Sequence, residues 1–240
     1  KEQFIENYQL CRDLGFENIS VDLMFGLPGQ SLEDWKETLI NVTDLEPEHI
    51  SAYSLIVEEG TPFGELYNKG KLELIDEEIE RNMYHYAKTY LADCGYKQYE
   101  ISNFATKDKE SKHNILYWRT LPYIGIGLGS HSYYQDMRYH NTYEMQEYLK
   151  HSGNLNQIQK NKEYIDSKTA MEEYMFLGLR LNSGIADQDF REKFGHSIMD
   201  IYGVQITKHI KEGLLRREEG KTTLTDFGQD VSNIVFSSFL

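Results

Sequence analysis

Two strands joined by one amphipathic helix, with a short turn at each junction, set the first limit on what this chain can fold into. Residues 18–30, NISVDLMFGLPGQ, read as a strand from about Ile19 to Met24 that ends on a sharp turn through Gly26, Pro28 and Gly29. Ser31 then opens a helix with Asp34 in capping-box position, Trp35, Leu39, Val42 and Leu45 fall on one stripe, and Pro47 ends it. A second strand, HISAYSLI, runs from about His49 to Ile56. An earlier helix carries Phe4, Tyr8 and Cys11 at helical spacing, with Gly15 as its cap. Helix, strand, helix and strand in this order predict parallel βα units, whose ligand sites lie at the C-terminal ends of the strands.

Within the first strand, Ile19, Val21 and Leu23 share one face, suited to packing on helices, while Ser20, Asp22 and Met24 share the other. A carboxylate in the middle of a buried strand costs on the order of several kcal/mol to desolvate unless it is satisfied. Asp22 is therefore expected to meet either a cation on a neighbouring strand or a ligand inside a barrel.

Further along, EEGTPFGELYNKGKLELID reads as a surface loop punctuated by Gly60 and Pro62. Asp76 caps a long helix whose apolar face includes Met83, Ala87 and Leu91, and Gly95 closes it. YEISNFA, residues 99–105, reads as a strand. KHNILYW, residues 112–118, then sets His113 and Asn114 close to Tyr117 and Trp118, where an imidazole beside large aromatics can be a hydrogen-bonded structural group or can meet a flat conjugated ring. In GIGLGSHSYY, Gly125, Gly127 and Gly129 alternate before Ser130, His131 and Ser132, which lets a backbone or a ligand approach closely. The spacing is GxGxG without strand, turn and helix around it, which excludes a dinucleotide fingerprint.

From Ser167 the pattern turns helical, with helices near Asp187–Phe194 and from about Ile198 to Lys211. Leu214–Arg217 and Thr222–Leu224 read as a hairpin, and Thr225 with Asp226 caps a closing helix carrying Val231 and Val235. Three helices and a hairpin predict a winged-helix-like module. Acidic residues outnumber basic ones over this stretch, so it presents no basic face for DNA.

Charge supports that exclusion for the whole chain. Among 240 residues, 25 are Lys or Arg and 39 are Asp or Glu, a formal net charge of −14, with a pI near 5.0. Nucleic acid and anionic membrane surfaces are thereby disfavoured as partners. No apolar run approaches the ~20 residues of a bilayer span, and no signal pattern opens the chain, so a cytoplasmic protein is expected. Cys11 and Cys94 lie far apart on apparent apolar helix faces and read as buried reduced thiols, leaving no zinc or iron–sulfur motif and no metal ligands in the chain. Lys1 stands directly within a helix, as in a chain cut inside a repeating α/β unit. Such a cut leaves the first strand with an open edge on which two copies could pair.

SVDLMFGLPGQS, HISAYSL followed by EEGTPF, YEISNFA, KHNILYW, GIGLGSHS and the terminal LTDFGQDVSNIVFSSFL stand in the order and spacing of a known family. The chain resembles the radical S-adenosylmethionine proteins of the oxygen-independent coproporphyrinogen III oxidase group, and within it the HemW branch of heme-binding chaperones. The resemblance implies an α/β fold: the C-terminal part of a partial (β/α) barrel over residues 1–106, a connecting region over 107–165 with the HNxxYW and GxGxG motifs, and a small, mostly helical winged-helix-like C-terminal domain over 166–240. It implies a 4Fe-4S cluster that cleaves S-adenosylmethionine, held by three thiolates at CxxxCxxC spacing. This chain has no such motif, so its cluster ligands would precede Lys1. By itself it is expected to be inactive, with no catalytic residue of its own. By position in the motifs, Asp22 and Ile56 match S-adenosylmethionine contacts, His113 matches the heme contact with His131 as the second candidate, and Tyr117 and Trp118 match a porphyrin face. The implied function is heme binding and delivery to apo-hemoproteins. The alternatives are oxidative decarboxylation of coproporphyrinogen III and, from the helical module alone, a nucleic-acid-binding regulator.

Overall fold

In a computed structural model that describes residues 1–151 and 153–240, the alternation read from the sequence is realised at the start of the chain. Helix α1 (Glu2–Asp13), strand β1 (Ser20–Phe25), helix α2 (Leu32–Thr43) and strand β2 (His49–Ser54) follow one another. β1 and β2 pair in parallel, with Ser20 opposite His49 and Asp22 opposite Ser51. The Ser31 hydroxyl accepts from the Asp34 N–H while the Asp34 carboxylate accepts from the Ser31 N–H, so the expected capping box starts α2. Pro47 is buried just before β2, where the chain turns back into the sheet.

Beyond β2 two expectations change. The stretch after it is not all loop: Thr61 accepts from the Gly64 N–H and Pro62 occupies the first helical turn, which nucleates helix α3 (Pro62–Asn68). After helix α4 (Glu77–Asp93), YEISNFA is not one strand. It divides into β3 (Lys97–Glu100) and β4 (Asn103–Ala105), because the Glu100 carboxylate accepts the Ser102 N–H and folds the chain back on itself. β4 runs antiparallel to β2 and to β3, so the sheet is open and mixed, in the order β1-β2-β4-β3. Its core packs Trp35, Leu39, Met83 and Leu91 from α2 and α4 against Ile50 and Phe104, and the Trp35 indole N–H donates to the Met83 carbonyl at 2.9 Å.

Among the described residues β1 is an edge strand, hydrogen-bonded only to β2. Beside it lies a groove of about 430 Å³ floored by Phe4, Ile5, Val21, Leu23 and Val42, with Asp22, Asp34 and Glu37 among its lining. The cysteine expectation is corrected as well. Cys94 caps the end of α4 and is exposed, and Cys11 is half-buried on a helix whose one buried residue is Tyr8.

These elements form one compact unit, Lys1–Ser111, and the remainder forms a second, Lys112–Leu240. In the second, helix α5 (Lys112–Trp118) precedes an antiparallel sheet of β5 (His131–Tyr134), β6 (Met137–Asn141) and β7 (Gln159–Tyr164), in the order β5-β6-β7. Helices α6 (Met145–His151) and α7 (Leu155–Ile158) lie between β6 and β7 in sequence. Helix α8 (Ser167–Gly178), strand β8 (Ile185–Ala186), helices α9 (Asp187–Phe194) and α10 (Ile198–Lys211), and strands β9 (Leu215–Glu218) and β10 (Lys221–Leu224) then build a second antiparallel sheet, β8-β10-β9. The closing helix is interrupted at Val231, giving α11 (Asp226–Asp230) and α12 (Ser232–Ser237). Met175, Leu179, Phe190, Ile198, Ile206, Val235 and Phe239 are all buried. Among the described residues no helix is long and apolar enough to cross a membrane.

Candidate functional site

The open sheet of the first unit carries a row of polar residues that register alone puts together. Asp22 pairs with Ser51, Ser51 with Asn103, and Asn103 with Glu100, so one polar side chain comes from each of the four strands. Ser51, Asn103 and Glu100 are buried, whereas Asp22, on the edge strand, is exposed. That exposure corrects the expectation of a buried carboxylate, because no desolvation cost requires a partner for Asp22. Glu100 Oε1 accepts from the Asn103 side-chain N–H at 2.5 Å, while Asn103 Oδ1 is buried without a hydrogen-bond partner.

One residue back along the same face, His49 is hydrogen-bonded through both ring nitrogens, Nδ1 to the Ser20 hydroxyl and Nε2 to the Tyr99 hydroxyl, each at 2.8 Å. Burial pushes the His49 imidazole below its ordinary pKa, against the pull of Asp22, and pushes the Tyr99 phenol up to about 12. Ile56 lies beyond the end of β2 and is 76% exposed. The period-two polar run His49, Ser51, Tyr53 was the signal that could have revealed this face from sequence.

In the second unit, helical geometry sorts the HNxxYW motif. His113 and Tyr117 are one turn apart, so their rings meet edge to face at 4.9 Å and the Tyr117 hydroxyl bonds His113 Nε2 at 3.1 Å. Tyr117 in turn meets Tyr123 at 4.7 Å. Trp118 is about 100° further round the helix and lies instead under the Arg180 guanidinium at 4.4 Å, its N–H without a hydrogen-bond partner. His131, on β5, is exposed and bonds the Tyr143 hydroxyl at 3.0 Å, with the His140 ring 5.2 Å away. The structure thus brings His113 to Tyr117 and His131 to His140 and Tyr143, while Trp118 meets Arg180.

The glycine motif shapes the second of these clusters. A Cβ on Gly125 would lie 2.2 Å from the His131 carbonyl, and one on Gly129, at φ +66°, would lie 2.9 Å from the Tyr143 ring. Absent side chains therefore let the loop run against β5 and let Tyr143 settle beside His131. Sequence reading missed a cleft of about 700 Å³ whose lining includes Trp118, Tyr133, Tyr174 and Lys193. Lys193 and Tyr174 lie on α9 and α8, where the helical pattern alone reads as ordinary surface and packing.

Fit to the cofactors named above differs by group. A 4Fe-4S cluster does not fit: the chain has two cysteines, in separate elements, and no group of three His, Cys, Asp or Glu among the described residues could hold a metal. Asp22 offers an accessible carboxylate to hydroxyl groups of an adenosyl ligand, and His113 and His131 each offer an exposed imidazole to a heme.

Comparison with known proteins adds to this geometry. The family model described as HemN C-terminal domain matches residues 165–231. The heme chaperone HemW of Lactococcus lactis subsp. lactis (strain IL1403) is 39% identical over 238 residues, covering 99% of this chain and 62% of that protein. HemW of Bacillus subtilis (strain 168) is 38% identical over 234 residues, 98% of this chain and 62% of its own length. The mitochondrial radical S-adenosyl methionine domain-containing protein 1 of Danio rerio is 34% identical over 71% of the chain and 40% of its own length. The solved structure of coproporphyrinogen III oxidase (HemN) from Escherichia coli, a radical SAM enzyme, superimposes with a TM-score of 0.78 at 18% identity, covering 100% of this chain and 58% of that one. That likeness is one of fold alone: the chain resembles a radical SAM, partial β/α barrel fold. The chain spans 62% of the length of the two HemW proteins.

Proposed function

We propose, for a chain homologous to the HemW/HemN family of radical S-adenosylmethionine proteins and carrying its C-terminal domain, a function in binding heme for transfer to apo-hemoproteins in the cytoplasm. The observation that carries this reading is the placement of His113, an exposed imidazole at the head of α5 held by Tyr117, in a chain 39% identical to a heme chaperone. His113 is the proposed heme contact and His131 the second candidate, with Tyr117 and Trp118 as the aromatic surface near the ring. Asp22 is proposed to accept hydrogen bonds from an adenosyl group, and Ile56 to contribute backbone and apolar contact. Bound S-adenosylmethionine with a 4Fe-4S cluster would supply radical chemistry. The residues of this chain do not fit that cluster, so no step is assigned to it. The open edge of β1 offers a strand to a second copy of the chain.

Hemin titration followed by absorbance tests the reading. A shifted Soret band is expected for the wild type, and an altered or roughly tenfold weaker response for His113→Ala, about 1.4 kcal/mol. No spectral change with the wild type, or an identical response from His113→Ala, overturns the assignment. Oxidative decarboxylation of coproporphyrinogen III is the second reading, supported by the fold it shares with HemN. Product formation from coproporphyrinogen III by the full-length protein with reconstituted cluster, with hemin binding absent, would favour it.

A further inference from the structure

We propose that the cleft between α5, α8 and α9 is the seat of a tetrapyrrole, gripped by its flat face and its carboxylate arms and not through its metal. This rests on the heme reading above and names which part of the ligand the second unit recognises. At about 700 Å³ the cleft falls in the range of roughly 300–1,000 Å³ typical of small-molecule sites. Trp118, Tyr133 and Tyr174 give it aromatic walls, and Leu121, 40% exposed, adds an apolar surface.

Lys193 supplies the polar handle. Its ammonium donates to the Thr120 carbonyl at 3.0 Å and to the Thr120 hydroxyl at 2.5 Å, which uses two of its three N–H bonds and leaves the third for a ligand. The same ammonium lies over the rings of Tyr174 at 5.1 Å and Phe194 at 5.6 Å. Desolvation lowers the Lys193 pKa against the pull of Asp136 and Glu173, yet the side chain is exposed, so a ligand carboxylate can reach the ammonium and make a charge-assisted bond with it. Arg119 and Lys221 also line the cleft and offset its acidic residues Asp136, Asp189 and Glu192. In a chain of net charge −14, such a balanced region is where an anionic arm meets little repulsion.

Among the described residues no His, Cys or Met lines the cleft. Its own side chains therefore offer no ligand to an iron, which would be met by a group outside the cleft, such as His113 on the helix that also carries Trp118. The ligand that fits is defined by a broad conjugated face and carboxylates at its edge, which metal-free protoporphyrin IX possesses as fully as heme.

Metal-free protoporphyrin IX, its dimethyl ester and hemin, each titrated into the full chain by tryptophan fluorescence and absorbance, test this. The free acid is expected to bind about tenfold more tightly than the ester. Lys193→Gln should bring the acid down to the ester's affinity and leave the ester unchanged, Leu121→Glu at the exposed wall should weaken both, and His113→Ala should leave the metal-free ligand unaffected. Circular dichroism checks that each variant is folded. Equal affinity for acid and ester, or wild-type binding of the acid by both Lys193→Gln and Leu121→Glu, overturns the proposal. Hemin binding that His113→Ala abolishes and the cleft variants leave untouched overturns it too, with the heme reading intact. A wild type that binds none of the three ligands removes both.

Discussion

Gly125 is fixed by a distance: any side chain there would press its first carbon to 2.2 Å from the His131 carbonyl. Gly125 also donates its N–H to the Ser132 hydroxyl at 3.0 Å, so the loop cannot withdraw without losing that bond. Gly125→Ala is expected to destabilise the second unit by roughly 1–3 kcal/mol, checked by denaturant melts against the wild type. At this scale the sequence was informative about chemistry and uninformative about burial. The glycine alternation announced a close approach, and the approach exists. Asp22 was read as buried because strand periodicity reports which face a residue shares, not what covers that face, and on an edge strand its face is open.

Among the elements, α10 contains a glycine that the fold does not need. Gly203 is helical, and an added Cβ would meet only Met199 at ordinary contact, 3.5 Å at the nearest. Gly203→Ala is expected to stabilise by about 0.4–1 kcal/mol, by removing freedom from the unfolded chain, and a thermal melt shifted upward is the check. Helices with strong caps were legible, as the Ser31 and Asp34 pair shows for α2 and Asp76, accepting the Glu78 N–H, shows for α4. α3 was not, because its Gly60 and Pro62 were read as loop punctuation although Pro62 stands where proline starts a helix. The β3–β4 reversal was hidden for another reason: it depends on a carboxylate of Glu100 bonding a backbone N–H two residues on, which has no periodic signature. The clustering of His113 with Tyr117 followed from spacing of four. The cleft around Lys193 did not, since its walls come from segments far apart in sequence.

For the whole molecule, stability is tied to pH through His49. The folded state lowers the pKa of this imidazole from its ordinary 6.5, chiefly by burial, so the unfolded chain takes up the proton more readily. His49 thus contributes fully above about pH 6.5, and its contribution is lost as pH falls through the lowered folded value. Melting temperatures measured between about pH 7.5 and 5.5 should fall toward the acid end, and His49→Gln should fall less steeply. Equal slopes for the two proteins would count against His49 as the source.

Among the described residues the second flank of β1 pairs with no strand. Asp22, Asp34 and Glu37 line the groove beside it, with Lys1 paired to Glu37 at 3.0 Å. For this chain on its own, that flank is a surface on which a further strand can add, and the acids beside it favour an occupant that brings lysine or arginine.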